Sequence, residues 1–237
     1  MLNDGTDDPD AERRGVTTRR AWLAHCSALG LASASLGLGL GSAPADAAEA
    51  AAKRRILVVG DSLSAEYGLA RGTGWVALLQ ARLAQKKIDA AVFNASISGD
   101  TTSGGRARLA PLLRQHRPTH VILELGGNDA LRGLPLDATS ANLAAMARAA
   151  RAAGAKVMVV GMQVPPNYGR RYSDDFAALF AGVARSEGAT LVPFLLEGIA
   201  NGPNPLALFQ PDRIHPTQAA HPRMLDNVWA VLEPMLR

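Results

Sequence analysis

Five short apolar runs, rich in β-branched residues, recur along the chain between segments of helical period. They lie at residues 56–59, 91–93, 121–125, 157–160 and 190–194. Runs of this length and composition suit strands buried on both faces. Between them, Trp75, Val76, Leu79 and Leu83 recur at helical spacing, as do Phe176, Leu179, Phe180 and Val183. Met224, Leu225, Val228, Trp229, Leu232 and Leu236 mark a closing helix docked on the core. Strands alternating with helices predict an α/β fold, a parallel sheet covered on both faces. Right-handed crossovers leave only a few doubly wound strand orders. The Pro/Gly/Asn-rich stretch 198–216 reads as a long functional loop rather than a linker, and no internal repeat or second domain is visible.

In a sheet of this kind, ligands sit outside the carboxyl ends of the strands. The first run ends in Gly60-Asp61-Ser62-Leu63-Ser64, the second in Asn94-Ala95-Ser96-Ile97-Ser98-Gly99-Asp100, the third in Gly126-Gly127-Asn128-Asp129. Three polar turns with glycines therefore converge on one rim, where backbone N–H groups can approach a ligand closely. Composition adds little. The net charge of +4 comes without a Lys/Arg block interleaved with aromatics, so it reads as a solvated basic surface and not a nucleic-acid site. The single cysteine, Cys26, excludes a disulfide framework and a cysteine-based metal site.

Ser62 follows a buried strand by two residues, and a serine hydroxyl needs an adjacent base to become a nucleophile. His215 is the best base, because Asp212 lies three residues before it and can orient the ring, leaving the other nitrogen for the serine proton. His25 falls in the leader, and His116 and His120 flank the wrong end of the third strand. His221 lacks an acid three residues before it. The backbone N–H groups of Ser62 and Gly99 and the side-chain amide of Asn128 are candidate donors to an oxyanion. Gly60 and Ser64 flank Ser62 where an α/β-hydrolase elbow would have its own glycines, so that family is excluded.

With these residues in hand, the chain resembles the SGNH/GDSL hydrolases, whose blocks appear in order: Gly60-Asp61-Ser62-Leu63-Ser64, Gly99, Gly126-Gly127-Asn128-Asp129, and Asp212-x-x-His215. It is most similar to the bacterial acyl-CoA thioesterase I, lysophospholipase and arylesterase group, through residues 94–101 (NASISGDT), 123–129 (LELGGND) and 167–172 (NYGRRY). The resemblance runs from Ile56 to the C-terminus. It implies a flavodoxin-like three-layer sandwich with strand order 2-1-3-4-5. It implies Ser62 as nucleophile, His215 as base, Asp212 as its partner, and Ser62, Gly99 and Asn128 as the oxyanion hole. No metal or organic cofactor is implied. The substrate expected is a small-molecule acyl ester or thioester, with Leu131 and Leu134 as acyl-chain contacts and Tyr168 and Arg170 lining an acyl or headgroup pocket. Two other readings stay open: a carbohydrate O-acetylesterase with the same triad, and a non-catalytic binder on a flavodoxin-like sheet.

Residues 1–47 read as an export signal. Arg19-Arg20 precede a weakly apolar stretch from Ala21 to Gly41, followed by small residues around Ala45-Asp46-Ala47. That order of charged lead, apolar middle and small-residue end is a signal peptide, and the arginine pair resembles a twin-arginine leader. The expected product is one domain, 48–237, periplasmic or secreted, with no stable membrane span once the leader is removed.

Overall fold

The computed structural model describes residues 52–237; the expected leader lies outside the described residues. The sheet comprises β1 (Arg54–Gly60), β2 (Ala90–Asn94), β3 (His120–Glu124), β4 (Lys156–Val160) and β5 (Thr190–Val192). All neighbours pair in parallel, in the order β2-β1-β3-β4-β5. Registers such as Ile56↔Val92 and Leu57↔Val121 place the carboxyl ends of β1, β2 and β3 side by side. This is the flavodoxin-like order that the family resemblance implies, one of the few doubly wound orders the strand pattern leaves open.

The helices are α1 (Trp75–Gln85), α2 (Thr102–His116), a short α3 (Gly127–Leu131), α4 (Leu136–Ala152), α5 (Arg170–Glu187) and α6 (His221–Met235). α1 packs with α6, while α4 packs with both α2 and α5, so each face of the sheet has its own layer. The sequence stripes are the buried faces: Trp75, Val76, Leu79 and Leu83 on α1, and Met224, Leu225, Val228, Trp229 and Leu232 on α6. Leu179 of α5 is only half-buried at the edge of its stripe.

Helix ends follow local chemistry. The Thr101 hydroxyl caps α2 by accepting from the Gly104 N–H at 3.3 Å. Gly188 ends α5 in the left-handed region, at φ 60°. β5 stops at Val192, shorter than the run 190–194, because Pro193 has no N–H to offer the ladder.

The stretch 198–216 is not a linker. It contains a 3₁₀ turn, Pro205–Leu208, and an antiparallel bridge between Phe209 and Pro216. Between those bridge residues the Gln210 N–H donates to the His215 carbonyl at 2.7 Å and the Arg213 N–H to the Gln210 carbonyl at 2.9 Å. Asp212 and His215 are therefore carried on a closed, internally hydrogen-bonded loop.

Candidate active site

The turn after β1 is wound tightly. The Asp61 carbonyl accepts from the N–H groups of Ser64 and Ala65, and the Asp61 carboxylate accepts from the Leu63 N–H at 3.0 Å. Ser62 is left at its tip. Its hydroxyl lies 2.9 Å from Nε2 of His215, whose Nδ1 lies 2.7 Å from Oδ2 of Asp212. The other Asp212 oxygen accepts from the N–H groups of Ile214 and His215, each at 3.0 Å. Burial alone would raise the Asp212 carboxyl. The two backbone N–H groups and the imidazole outweigh it and bring the carboxyl down to about 2. An ionised carboxylate on Nδ1 leaves Nε2 as the acceptor facing Ser62. The Tyr67 ring packs against the imidazole at 4.2 Å between centroids, tilted by 33°, and the Gln210 amide donates to the Tyr67 carbonyl at 2.9 Å, tying the loop to the β1 turn.

The two other strand ends reach the same place. Gly99 sits at φ 78°, a conformation that favours glycine. Within the described residues, no hydrogen bond engages the N–H of Ser62 or of Gly99. The Asn128 amide donates to the Asp100 carbonyl at 2.9 Å and to the Asp61 carboxylate at 3.1 Å, so it spans both turns. Arg108 of α2 clamps them from behind. Its guanidinium bonds the Asp100 carboxylate at 2.8 Å, the Ala95 carbonyl, and the Gly60 carbonyl at 3.3 Å. Arg132 donates to the Gly99 carbonyl at 2.6 Å.

Beneath Ser62 lies a buried polar floor that the motif reading does not contain. Glu124, 2% exposed, accepts from the Ser64 hydroxyl at 2.6 Å and from the Asp61 N–H at 3.4 Å. The Trp75 indole donates to the Ser64 oxygen at 3.2 Å, and the Trp75 N–H donates to Nδ1 of His221 at 3.0 Å. His221 is therefore a buried acceptor joining α1 to α6, and burial lowers its pKa. Complete burial, together with the neighbouring Asp61 carboxyl, raises Glu124 well above the usual carboxylate range. Burial likewise raises Asp61 to about 6, against hydrogen bonds from Leu63 and Asn128 and the nearby His215. A Cβ on Gly60 would lie 2.8 Å from both the Glu124 carboxylate and the Ser64 hydroxyl, so the floor admits only glycine there. One signal for the floor was present: Glu124 is the only acid in the otherwise apolar run 121–125.

The remaining sequence candidates stand further out. Leu131 and Leu134 are exposed, at 47% and 37%, on and after α3. Tyr168 and Arg170 line an open cavity of about 440 Å³ with Gly169, Arg171, Tyr172 and Asp175, a lining that includes neither Ser62 nor His215. Among the described residues, no group of three or more His, Cys, Asp or Glu side chains could hold a metal ion.

Residues 58–223 match the GDSL-like lipase/acylhydrolase family. The chain is 53% identical to esterase TesA of Pseudomonas aeruginosa, over 78% of this chain and 91% of that one. The chain belongs to the GDSL lipase/acylhydrolase family. It is 40% identical to the thioesterase 1/protease 1/lysophospholipase L1 of Escherichia coli K12, over 79% of this chain and 87% of that one. A crystal structure of TesA superposes with a TM-score of 0.74 at 52% identity, covering 77% of this chain and 99% of that one. As a GDSL acylhydrolase the chain is a serine hydrolase acting on carboxylic ester or thioester bonds, and the reading as a non-catalytic binder falls away.

Proposed function

We propose that Ser62 is the nucleophile of this GDSL hydrolase, His215 its general base and Asp212 the residue that holds the imidazole in its working tautomer. The observation that carries this reading is the continuous chain from the Ser62 hydroxyl through the imidazole to the carboxylate, at 2.9 and 2.7 Å. Ser62 Oγ attacks the acyl carbonyl as its proton passes to His215 Nε2. The tetrahedral oxyanion takes hydrogen bonds from the N–H groups of Ser62 and Gly99 and from the Asn128 amide, each worth about 3–4 kcal/mol in such a site. The longer of the two Asn128 bonds, to Asp61, is the one an oxyanion replaces. The imidazolium then protonates the departing alcohol or thiol, leaving an acyl-Ser62 ester. Water repeats the attack, gives its proton to Nε2 and releases the acid.

The names borne by the relatives support acyl esters, lysophospholipids and acyl thioesters as the substrate range. Aryl esters fit the same chemistry. Leu131 and Leu134, exposed beside Asn128, are the proposed acyl-chain contacts, and the cavity at Tyr168 and Arg170 is the proposed pocket for the far end of the substrate. Residues 1–47 are the proposed export signal and 48–237 the mature domain, which acts in the periplasm or outside the cell. Among the described residues, no helix is long and apolar enough to cross a membrane.

A fluorophosphonate probe should label Ser62, and Ser62→Ala should abolish labelling and lower kcat about 10⁴–10⁶-fold on p-nitrophenyl esters. Near-normal turnover by that variant overturns the assignment.

A further inference from the structure

The exposed large apolar side chains among the described residues are Tyr67, Ile97, Leu131, Leu134, Leu206 and Ile214. Scattered single apolar residues on a surface need no explanation, but confinement of all of them to one edge does. Tyr67 follows β1, Ile97 follows β2, Leu131 and Leu134 follow β3, and Leu206 and Ile214 follow β5. Because every strand runs parallel, all of these segments emerge at the carboxyl edge, around Ser62 and His215. Contacts join them into a collar. Arg132 reaches the Gly99 carbonyl and so ties the segment of Leu131 and Leu134 to the turn of Ile97. Tyr67 packs against His215, beside Ile214, and the Gln210 amide links the Leu206 loop back to Tyr67.

The exposed charge of the collar is predominantly basic. Each carboxylate in these strand-to-helix loops is engaged within the protein. Asp61 binds Asn128, Glu66 binds the N–H groups of Gly72 and Gly74, and Asp100 pairs with Arg108. Asp129 binds Thr102, Glu197 binds Asn201 and Asp212 binds His215. The arginines of the same edge, Arg71, Arg132, Arg170 and Arg213, are exposed, and none is in a salt bridge among the described residues; against these four stands the exposed Asp137 in the first turn of α4. Apolar tips interspersed with unpaired cations, and an aromatic ring among them, match the boundary layer of an anionic lipid surface. A single soluble acyl chain would need one groove, whereas these tips are distributed over the segments that follow four of the five strands.

We propose that the carboxyl edge of the sheet docks the protein on anionic lipid surfaces. The apolar collar enters the headgroup boundary, the arginines meet the lipid phosphates, and the Ser62 site opens onto the surface that supplies its substrate. The docking step is independent of the esterase reading; only the hydrolysis arm of its test rests on that reading.

The test is co-sedimentation with vesicles of phosphatidylcholine alone and of equal parts phosphatidylcholine and phosphatidylglycerol. The wild type and Ser62→Ala should both bind the anionic vesicles, and about 0.5 M salt should release them. Leu206→Asp and Ile97→Asp should each weaken binding about tenfold or more, from the loss of an inserted aliphatic side chain. Arg71→Glu should weaken binding to anionic vesicles without altering that to neutral ones. Hydrolysis of a short soluble p-nitrophenyl ester should stay within about twofold in the Leu206, Ile97 and Arg71 variants, while their hydrolysis of lysophospholipid held in the anionic vesicles falls with binding. A wild type that ignores anionic vesicles overturns the proposal, as does equal binding to both vesicle types or unchanged binding by the Leu206 and Ile97 variants. A wild-type dimer that Leu206→Asp dissociates, with no vesicle binding, assigns the collar to a second copy and also overturns it. Vesicle binding without hydrolysis of either substrate supports the docking surface and refutes the esterase reading instead.

Discussion

The loop that carries Asp212 and His215 and the floor beneath Ser62 hold the same site by opposite means. In the loop, partners lie within a few residues of one another: the Asp212 carboxylate bonds the N–H groups of Ile214 and His215 and the imidazole itself. In the floor, partners are 60, 63 and 146 residues apart: Ser64 with Glu124, Asp61 with Glu124, and Trp75 with His221. The loop is open to solvent and its carboxyl is depressed to about 2, whereas the floor is buried and its Asp61 carboxyl is raised to about 6. The difference separates two tasks. On the proposed assignment the loop orients the proton acceptor; the floor, whose Glu124, Trp75 and His221 are buried, fixes where the Ser62 turn stands and belongs to the core.

Three experiments press on that division. The largest effect is expected from Asp212→Asn, which keeps the shape but supports the imidazole poorly. It should lower kcat about 10³–10⁴-fold while shifting Tm by less than about 2 °C. A rate loss below tenfold, or a large drop in Tm, would erase the distinction between loop and floor.

Next in size is Glu124→Ala. It strips the Ser64 hydroxyl and the Asp61 N–H of their acceptor and opens a cavity, at a cost of about 2–4 kcal/mol in urea unfolding. Glu124→Gln should recover most of that stability, since a neutral amide oxygen can accept both bonds. If Glu124→Ala unfolds at the wild-type midpoint, the floor is not a support.

The smallest effect concerns pH and has opposite signs in the two regions. A carboxyl raised to about 6 in the fold destabilises it when ionised, so that penalty is full above pH 6 and fades as pH falls toward the unfolded value of 3.8. Asp61→Asn should therefore be more stable than the wild type at about pH 8, with its advantage shrinking by about pH 4.5. The Asp212 carboxylate acts the other way: its contribution is present above 3.8 and is lost as pH falls through about 2. Paired urea titrations of wild type and Asp61→Asn at the two pH values measure the first sign. An advantage that grows on acidification would show that Asp61 is not destabilised by its burial.

What the sequence made legible follows the same line. Runs of apolar residues marked all five strands; the central β1, β3 and β4 are buried along most of their length as such runs predict, whereas β2 and β5, at the sheet edges, are largely half-buried. The Asp212/His215 pair was legible because its geometry is written within four consecutive residues. Arg108, Gln210 and the partners of Asn128 were not, since each joins segments whose approach depends on the finished fold. Glu124 lies between these cases. An acid in an apolar run announces a buried carboxyl that needs a partner, but that partner, Ser64, is named only once β1 and β3 are side by side. His221, passed over as a base because no acid precedes it at the right spacing, is instead the acceptor that joins two helices.

The contact of Gly60 with the floor bears on how such an enzyme can be altered. A side chain at position 60 would collide with Glu124 and Ser64 together, so saturation mutagenesis of that codon alone should return glycine. Alternatives become reachable only after one of the two opposing residues has shrunk, and that first step costs stability by itself. Position 60 is thus coupled to its neighbours by epistasis, and a lineage that departs from glycine there is expected to carry an earlier substitution at Glu124 on the adjacent strand or at Ser64 in the same turn.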